Sequence, residues 1–233
     1  MEYHMKVTWL TQAGLLFENG SITVMVDPYF SNSVAELDPK KSRRIPADES
    51  FLEKSPDVVL ITHDHLDHLD PVTIEKIIYY SKKPITFLAP EAAYRRLVSF
   101  GGNHNYVMLN PHSVWSEGGV TFYAVHAEHS DRTAAGFIMD DGEKTYYVSG
   151  DTLYNYDVID EVLELVEDGV DYAFVPINGK GNNMNAKDAA DFVYEIDAKC
   201  AVPLHYGLFD NIDPATFDFD DVMILEPFKT KEI

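Results

Sequence analysis

The sequence has few cysteines, few cations and no long apolar run, and each shortage excludes a class of protein. The single cysteine, Cys200, cannot form an internal disulfide, which favours a reducing compartment such as the cytoplasm. No apolar stretch approaches the ~20 residues of a membrane span, so we expect no membrane partner. Only 18 Lys and Arg oppose 39 Asp and Glu, giving a formal charge of -21. This charge disfavours nucleic acid as a partner, because nucleic-acid affinity comes largely from cationic contacts with phosphates.

The composition and patterning predict an α/β fold. Hydrophobic residues make up 45% of 233 residues, which favours one domain over residues 1–233. Short apolar runs alternate with amphipathic helical segments, and Asp70 followed by Pro71 predicts the start of a helix. An Asp-Asp-Gly-Glu turn at 140–143 predicts a hairpin, and Val222 to Leu225 predicts a final strand. Two stacked β-sheets with helices on both outer faces satisfy this pattern; an open doubly wound sheet is the alternative.

The segment from Thr62 to Asp70 carries the strongest chemical signal. It reads Thr-His-Asp-His-Leu-Asp-His-Leu-Asp and follows a buried strand directly. Imidazole nitrogens and carboxylate oxygens together are the ligands of zinc and its first-row neighbours, whereas calcium and magnesium sites use oxygen almost alone. His63 and His65 can point the same way from an extended backbone, while Asp67 and His68 come from the following turn. The segment therefore predicts a metal site.

Three later polar groups repeat the placement of this segment at a strand exit. They are the segment His126 to His129, Asp151 within Gly-Asp-Thr, and His205 within Leu-His-Tyr-Gly. Each follows an apolar strand-like run, where functional groups often gather. Together they indicate additional ligands of the same site.

With these motifs the chain resembles the metallo-β-lactamase-fold hydrolases. It carries His-x-His-x-Asp-His as His63 to His68, then a strand-end His, the Asp of Gly-Asp-Thr and a final His. The stretches YYVSGDTLY, VPINGKGNNMNAKDAADF and VPLHYGLFDN are similar to the ascorbate-6-phosphate lactonase-like branch. The resemblance implies a four-layer αββα sandwich, in which two mixed β-sheets carry helices on both outer faces.

The resemblance also implies which residues bind metal. It implies one metal on His63, His65 and His129, and a second metal on Asp67, His68 and His205, with Asp151 bridging the two. His129 is preferred to His126 because the family ligand is the last residue of a four-residue step after the strand, which leaves His126 without an assigned role. Zinc is the first expectation, and manganese or iron accept the same ligands.

The expected reaction is hydrolysis without a Ser or Cys nucleophile. Two neighbouring dications lower the pKa of a shared water towards ~7 and polarise the substrate's carbonyl or phosphoryl oxygen, so that hydroxide attacks the substrate. Asp67 and Asp151 are the expected catalytic carboxylates. Asp67 would orient the water or transfer its proton, and Asp151 would partly neutralise the paired cations.

The expected substrate is a small ester, and the branch resemblance narrows it to a sugar lactone with or without phosphate. Candidate substrate contacts are Asn178, Lys180, Tyr206 and Tyr154, with Lys180 assigned to a phosphate. A phosphodiesterase acting on a lipid-like or nucleotide substrate is the alternative, and a non-catalytic metal-binding protein is the third. The basic run Lys40 to Arg44 has no assigned role, and a homo-oligomer stays open.

Overall fold

The computed structural model describes residues 4–166 and 168–233. The chain divides into two compact units. The first unit runs from the amino terminus to Met108 and includes 207–210 and 225–233, and the second comprises 109–206 and 211–224. The expectation of a single domain over 1–233 stays a prediction. Among the described residues, no helix has the length and apolar character needed to cross a bilayer.

The first unit contains a mixed seven-stranded sheet. Its strands are β1 (Lys6–Trp9), β2 (Leu15–Glu18), β3 (Thr23–Val26), β4 (Val58–Leu60), β5 (Thr86–Ala89), β6 (Asn105–Met108) and β13 (Thr230–Glu232). Their order is β13-β1-β2-β3-β4-β5-β6. Pairing is antiparallel from β13 to β3 and parallel from β3 to β6.

Three α-helices accompany this sheet. They are α1 (Ser33–Leu37), α2 (Pro71–Tyr80) and α3 (Glu91–Leu97). Helix α2 begins as predicted, with Asp70 at the N-cap and Pro71 in the first turn. Its buried residues Ile74 and Ile77 belong to the same apolar cluster as Phe87 of β5, so the helix is held on the sheet by its apolar stripe.

The second unit contains a mixed six-stranded sheet with two α-helices. The strands are β7 (Val114–Glu117), β8 (Val120–His126), β9 (Ala135–Asp140), β10 (Thr145–Val148), β11 (Tyr172–Pro176) and β12 (Cys200–Leu204), and the helices are α4 (Tyr156–Leu165) and α5 (Ala186–Glu195). The order is β12-β11-β10-β9-β8-β7. The predicted hairpin joins β9 to β10, and Cys200 is buried in β12.

The predicted strand from Val222 to Leu225 is wrong. Only Val222 forms a bridge, with Ala201, and the last strand of the chain is instead β13. β13 has the sequence Thr-Lys-Glu, and all three of its residues are exposed. An exposed edge strand carries no apolar alternation, so its sequence gives no strand signal.

Strand direction gathers the predicted polar groups within each unit. In the first unit β3, β4 and β5 are parallel, so the residues after β3 and after β4 lie at the same edge. In the second unit β10, β11 and β12 are parallel. β8 points in that same direction, because it is antiparallel to β9, which is antiparallel to β10. The carboxyl ends of four strands therefore share one edge of the second sheet.

Candidate metal centre

The histidine motif, residues His63 to His68, forms a compact group of donors in the first unit. The Nε2 atom of His63 lies 2.9 Å from Nδ1 of His65, and the rings of His63 and His68 have their centroids 4.0 Å apart. Nε2 of His68 lies 4.0 Å from Oδ2 of Asp67. His63 and His68 are fully buried. We call His63, His65, Asp67 and His68 the first ligand group.

A carboxylate that the sequence analysis missed, Asp27, supports this group from the end of β3. Asp27 is fully buried. Its Oδ1 accepts a hydrogen bond from the Thr62 backbone N–H at 2.8 Å, and its Oδ2 accepts one from the Thr62 hydroxyl at 2.6 Å. The same Oδ2 lies 2.8 Å from Nδ1 of His68. One buried side chain therefore ties the end of β3 to the motif that follows β4.

These contacts determine which ring nitrogen of His63 and of His68 carries the proton. An ionised carboxylate only accepts hydrogen bonds, so His68 must carry its proton on Nδ1 and present the lone pair of Nε2. The hydroxyl proton of Thr62 points to Asp27, so its oxygen, 3.0 Å from Nδ1 of His63, accepts from that ring. His63 therefore also presents Nε2. This is the arrangement that outer hydrogen-bond partners impose on metal-binding histidines.

The other two aspartates of the segment have structural partners. Asp64 forms an ion pair with Arg96 of α3. Asp70 is fully buried and accepts hydrogen bonds from the hydroxyls of Ser33, at 3.0 Å, and Thr73, at 2.5 Å. Neither carboxylate therefore belongs with the donors of the first ligand group.

Asp67 is held by a second residue that the sequence analysis missed. The amide Nε2 of Gln12 donates to Oδ2 of Asp67 at 2.8 Å. Gln12 is buried in the turn between β1 and β2, where Thr11 and Gln12 both have positive φ angles of 75° and 52°. Two residues with bulky side chains in this conformation are uncommon, which marks the turn as one that the surrounding structure maintains.

The second unit brings Asp151 and His205 together. Asp151 follows β10, His205 follows β12, and both are buried. Oδ1 of Asp151 lies 3.3 Å from Nε2 of His205. The chain turns sharply at His205, which has a positive φ of 60°. With His129, these residues form what we call the second ligand group.

His129 and His126 have different surroundings. His129 is 8% exposed, and its Nδ1 lies 3.2 Å from the carbonyl oxygen of Asn182, which can only accept a hydrogen bond. The proton of the neutral ring therefore lies on Nδ1, and Nε2 carries the lone pair. The side chain of His126 is 38% exposed and has Glu128 at 4.0 Å. The choice of His129 as the ligand is consistent with these contacts and stays a prediction.

The two ligand groups fit a divalent first-row metal. Both consist of imidazole and carboxylate donors, which suit zinc, manganese and iron, and in both groups histidines contact an outer partner through Nδ1.

Comparison with known proteins gives the family. A family model described as the beta-lactamase superfamily domain matches residues 23–206. A UPF0173 metal-dependent hydrolase of Methanopyrus kandleri is 31% identical over 98% of this chain and 100% of its own length. The chain belongs to the UPF0173 metal-dependent hydrolase family of this superfamily.

Solved structures show the same fold for this UPF0173 chain. A metallo hydrolase of Ignicoccus hospitalis, 21% identical, aligns with a TM-score of 0.80 over 98% of both chains. A metallo-β-lactamase fold protein of Bacillus subtilis, 19% identical, aligns with a TM-score of 0.73 over 99% of this chain and 100% of its own. At these identities the likeness concerns the fold alone. The predicted fold class, with two mixed β-sheets and helices, is confirmed.

The four predicted substrate contacts of this UPF0173 protein differ in their exposure and in their hydrogen-bond partners. Asn178 has its Nδ2 atom 2.9 Å from Nδ1 of His205, and Lys180 is exposed. Burial raises the pKa of Tyr206 to about 12, and a hydrogen bond with Tyr156 raises the pKa of Tyr154 to about 12. Both predicted tyrosines are therefore neutral near pH 7 and serve as hydrogen-bonding groups, not as bases.

Two arginines of the basic run Lys40 to Arg44 form hydrogen bonds within the first unit. Arg43 donates to the carbonyl oxygen of Tyr29 at 2.6 Å and to the hydroxyl of Thr11 at 2.9 Å, and burial lowers its pKa. Arg44 donates to the carbonyl oxygen of Asp210 at 2.6 Å. The two arginines thus hold loops of the first unit together.

Asp27→Asn should reduce metal affinity by about 10–100-fold, the usual effect of losing an outer partner of a metal ligand. An amide replaces one accepting oxygen with a donor, so either Thr62 or His68 loses its hydrogen bond. Competition with a chromophoric chelator measures the affinity. The matched control is Asp57→Asn at the opposite ends of the same strands, where Asp57 accepts from the Thr23 backbone N–H and pairs with Lys83. Equal affinity losses in both variants would contradict the positioning role.

His129→Ala should remove most bound metal and activity, whereas His126→Ala should leave metal content nearly unchanged. The first change deletes a buried donor, and the second deletes a side chain that is 38% exposed. Elemental analysis of the two purified variants decides the ranking. The reverse ranking would show that the ligand is His126.

Proposed function

We propose that this protein is a binuclear metal-dependent hydrolase in which both ligand groups bind the same pair of divalent ions. The observation that carries the proposal is the set of hydrogen-bond partners that the histidines have at Nδ1. Three of the five, His63, His68 and His129, have Nδ1 in contact with an oxygen atom that can accept a hydrogen bond from it. Such contacts direct Nε2 towards a metal, and their repetition across both groups is hard to explain for histidines with a purely structural role.

The ligands divide between two ions in this proposal. His63, His65 and His129 would hold one ion. Asp67, His68 and His205 would hold the other, and Asp151 would be shared by both. Seven nitrogen and oxygen ligands are too many for one tetrahedral site and suit two sites. Zinc is the proposed metal, with manganese and iron as alternatives.

The protein's own residues have defined tasks in hydrolysis. When bound, the paired metals would supply an acidified water and a Lewis acid for the substrate oxygen. Asp67, held by Gln12 through one carboxylate oxygen, would orient a water or take its proton. Asp151 contributes negative charge beside His205. No Ser or Cys nucleophile is required, and Cys200 is buried within β12.

The proposed substrate is a small ester, and first a sugar lactone with or without phosphate. The resemblance to the ascorbate-6-phosphate lactonase-like branch supports this class, as does the polar loop from Asn178 to Asn183 that follows β11. Lys180, exposed in this loop, offers a cation for an anionic substituent. The net charge of -21 argues against a nucleic-acid substrate. We place the protein in the cytoplasm and expect no membrane partner.

The test is activity screening of metal-reconstituted protein with metal content measured on the same sample. We expect about two metals per chain and turnover of lactones. The panel should contain neutral and phosphorylated lactones, phosphodiesters and β-lactams. Robust phosphodiester turnover without lactone turnover would make the phosphodiesterase the correct function. Full metal loading without any turnover would favour a metal-binding protein, and a folded sample that takes up at most one metal would contradict the binuclear centre.

Lys180→Ala should raise KM several-fold for a phosphorylated lactone and leave kcat and the neutral lactone nearly unchanged. The lysine would bind a group remote from the reacting carbonyl, so its loss removes ground-state binding alone. Steady-state kinetics on the two substrates measure the difference. Lys187→Ala is the control, because Lys187 is an exposed lysine of α5 that pairs with Asp191. Equal effects of Lys180→Ala on both substrates would contradict the phosphate role.

A further inference from the structure

Asn178 occupies a fixed position beside His205. Strands β11 and β12 are parallel with Pro176 opposite Leu204, and the Ile177 backbone N–H continues the pairing to the Leu204 carbonyl at 3.1 Å. Asn178 follows Ile177 just after β11, and His205 follows Leu204 at the end of β12. The two strand ends therefore bring both residues to the same sheet edge, where Nδ1 of His205 lies 2.9 Å from Nδ2 of Asn178.

The loop after Asn178 is anchored at both ends, so this side chain has little freedom. The Gly179 backbone N–H donates to the Met184 carbonyl at 3.0 Å, and the Met184 N–H donates to the Thr152 carbonyl at 2.9 Å. Gly179 has a φ of +63°, and a Cβ there would come within 3.0 Å of Asn185. Only glycine suits this close approach, which keeps Asn178 in register.

The imidazole of His205 lies between two polar side chains. Its Nδ1 is 2.9 Å from Nδ2 of Asn178, and its Nε2 is 3.3 Å from Oδ1 of Asp151. The other amide atom of Asn178, Oδ1, is buried without a hydrogen-bond partner among the described residues. Oxygen and nitrogen of an asparagine exchange places by a half-turn of the amide, so either atom can face Nδ1 at this distance.

The two amide orientations select different forms of His205. If the amide oxygen faces Nδ1, it accepts a proton from that nitrogen, and Nε2 keeps a lone pair for a metal. If the amide nitrogen faces Nδ1, it donates, and the ring proton must lie on Nε2, directed at Asp151. His68 differs, because its partner Asp27 is a carboxylate that only accepts.

We propose that Asn178 is a positioning residue that sets the tautomer of His205, and through it the affinity for the metal that His205 binds. This inference rests on the proposed binuclear site. Metal binding requires the orientation with the amide oxygen on Nδ1, because Nε2 then keeps its lone pair. Asn178 thus acts on His205 and is not itself a metal ligand. It differs from Asp27 because its amide also permits the His205 tautomer that cannot bind a metal through Nε2.

The test compares stepwise zinc affinities of the full chain and its variants by chelator competition at about pH 8.5, where histidine is largely deprotonated. Asn178→Leu, similar in volume but unable to accept, should weaken the more weakly bound zinc by about 10–100-fold. Asn178→Asp restores an acceptor and should match or exceed the wild type. Asn178→Ala serves as a second deletion if the leucine variant does not fold.

A spectroscopic readout separates this role from a general effect on the loop. In the zinc-loaded protein, nitrogen-15 histidine spectra should show a solvent-protected Nδ1–H of His205 in wild type and Asn178→Asp, and rapid exchange in Asn178→Leu. Asn183→Ala is the matched control, because Asn183 is a buried asparagine of the same loop whose amide has no hydrogen-bond partner in the described parts of the chain. It should leave zinc affinity unchanged.

The outcomes distinguish this inference from the proposed function. Wild-type protein that binds two zinc ions, with Asn178→Leu indistinguishable from it, overturns the role of Asn178 and leaves the binuclear hydrolase intact. Equal losses in Asn178→Leu and Asn183→Ala overturn it as well, since the loop itself would then be the cause. Wild-type protein that does not bind two metals overturns the proposed function and the inference together.

Discussion

The buried carboxylate of Asp27 is the interaction on which the first ligand group depends. A charge in a fully buried position is tolerated only if its hydrogen-bonding capacity is used, and here Thr62 and His68 use it through three contacts. Hydrogen bonds to a charged group contribute about 1.5–3 kcal/mol each, so the loss of these partners would leave a costly buried charge. The same contacts that compensate the charge also determine the tautomers of His63 and His68. Stability and ligand geometry therefore have one cause at this position.

The two ligand groups solve the same chemical problem with different partners. Each must hold an imidazole in a single orientation, and each does so from a neighbouring strand exit. In the first unit a carboxylate and a hydroxyl contact Nδ1, whereas in the second unit a backbone carbonyl and an asparagine amide do so. A carboxylate raises the basicity of the imidazole that it contacts, because it also compensates positive charge. An amide is neutral and can face the ring in two ways.

Parallel strand pairing explains why the polar groups assemble at all. Residues far apart in the chain follow β8, β10, β11 and β12, and these four strands point the same way in the second sheet. Rigid strands hold the backbone of the site, while the short turns after them carry the donors. Positive φ angles turn the chain sharply after β3, at Asp27, and after β12, at His205.

The sequence alone determined the ligand types and the kind of fold, because both depend on local patterns. The spacing from His63 to His68 and the apolar runs of the strands are readable from neighbouring residues, as is the start of α2 at Pro71. Tertiary structure alone decided the partners. Asp27 and Gln12 belong to no sequence motif. They contact His68 and Asp67 only because β3 lies beside β4 and the turn before β2 approaches Asp67. A hydrogen bond between residues distant in the chain has no local pattern, since it is the pairing of strands that brings its two atoms within reach.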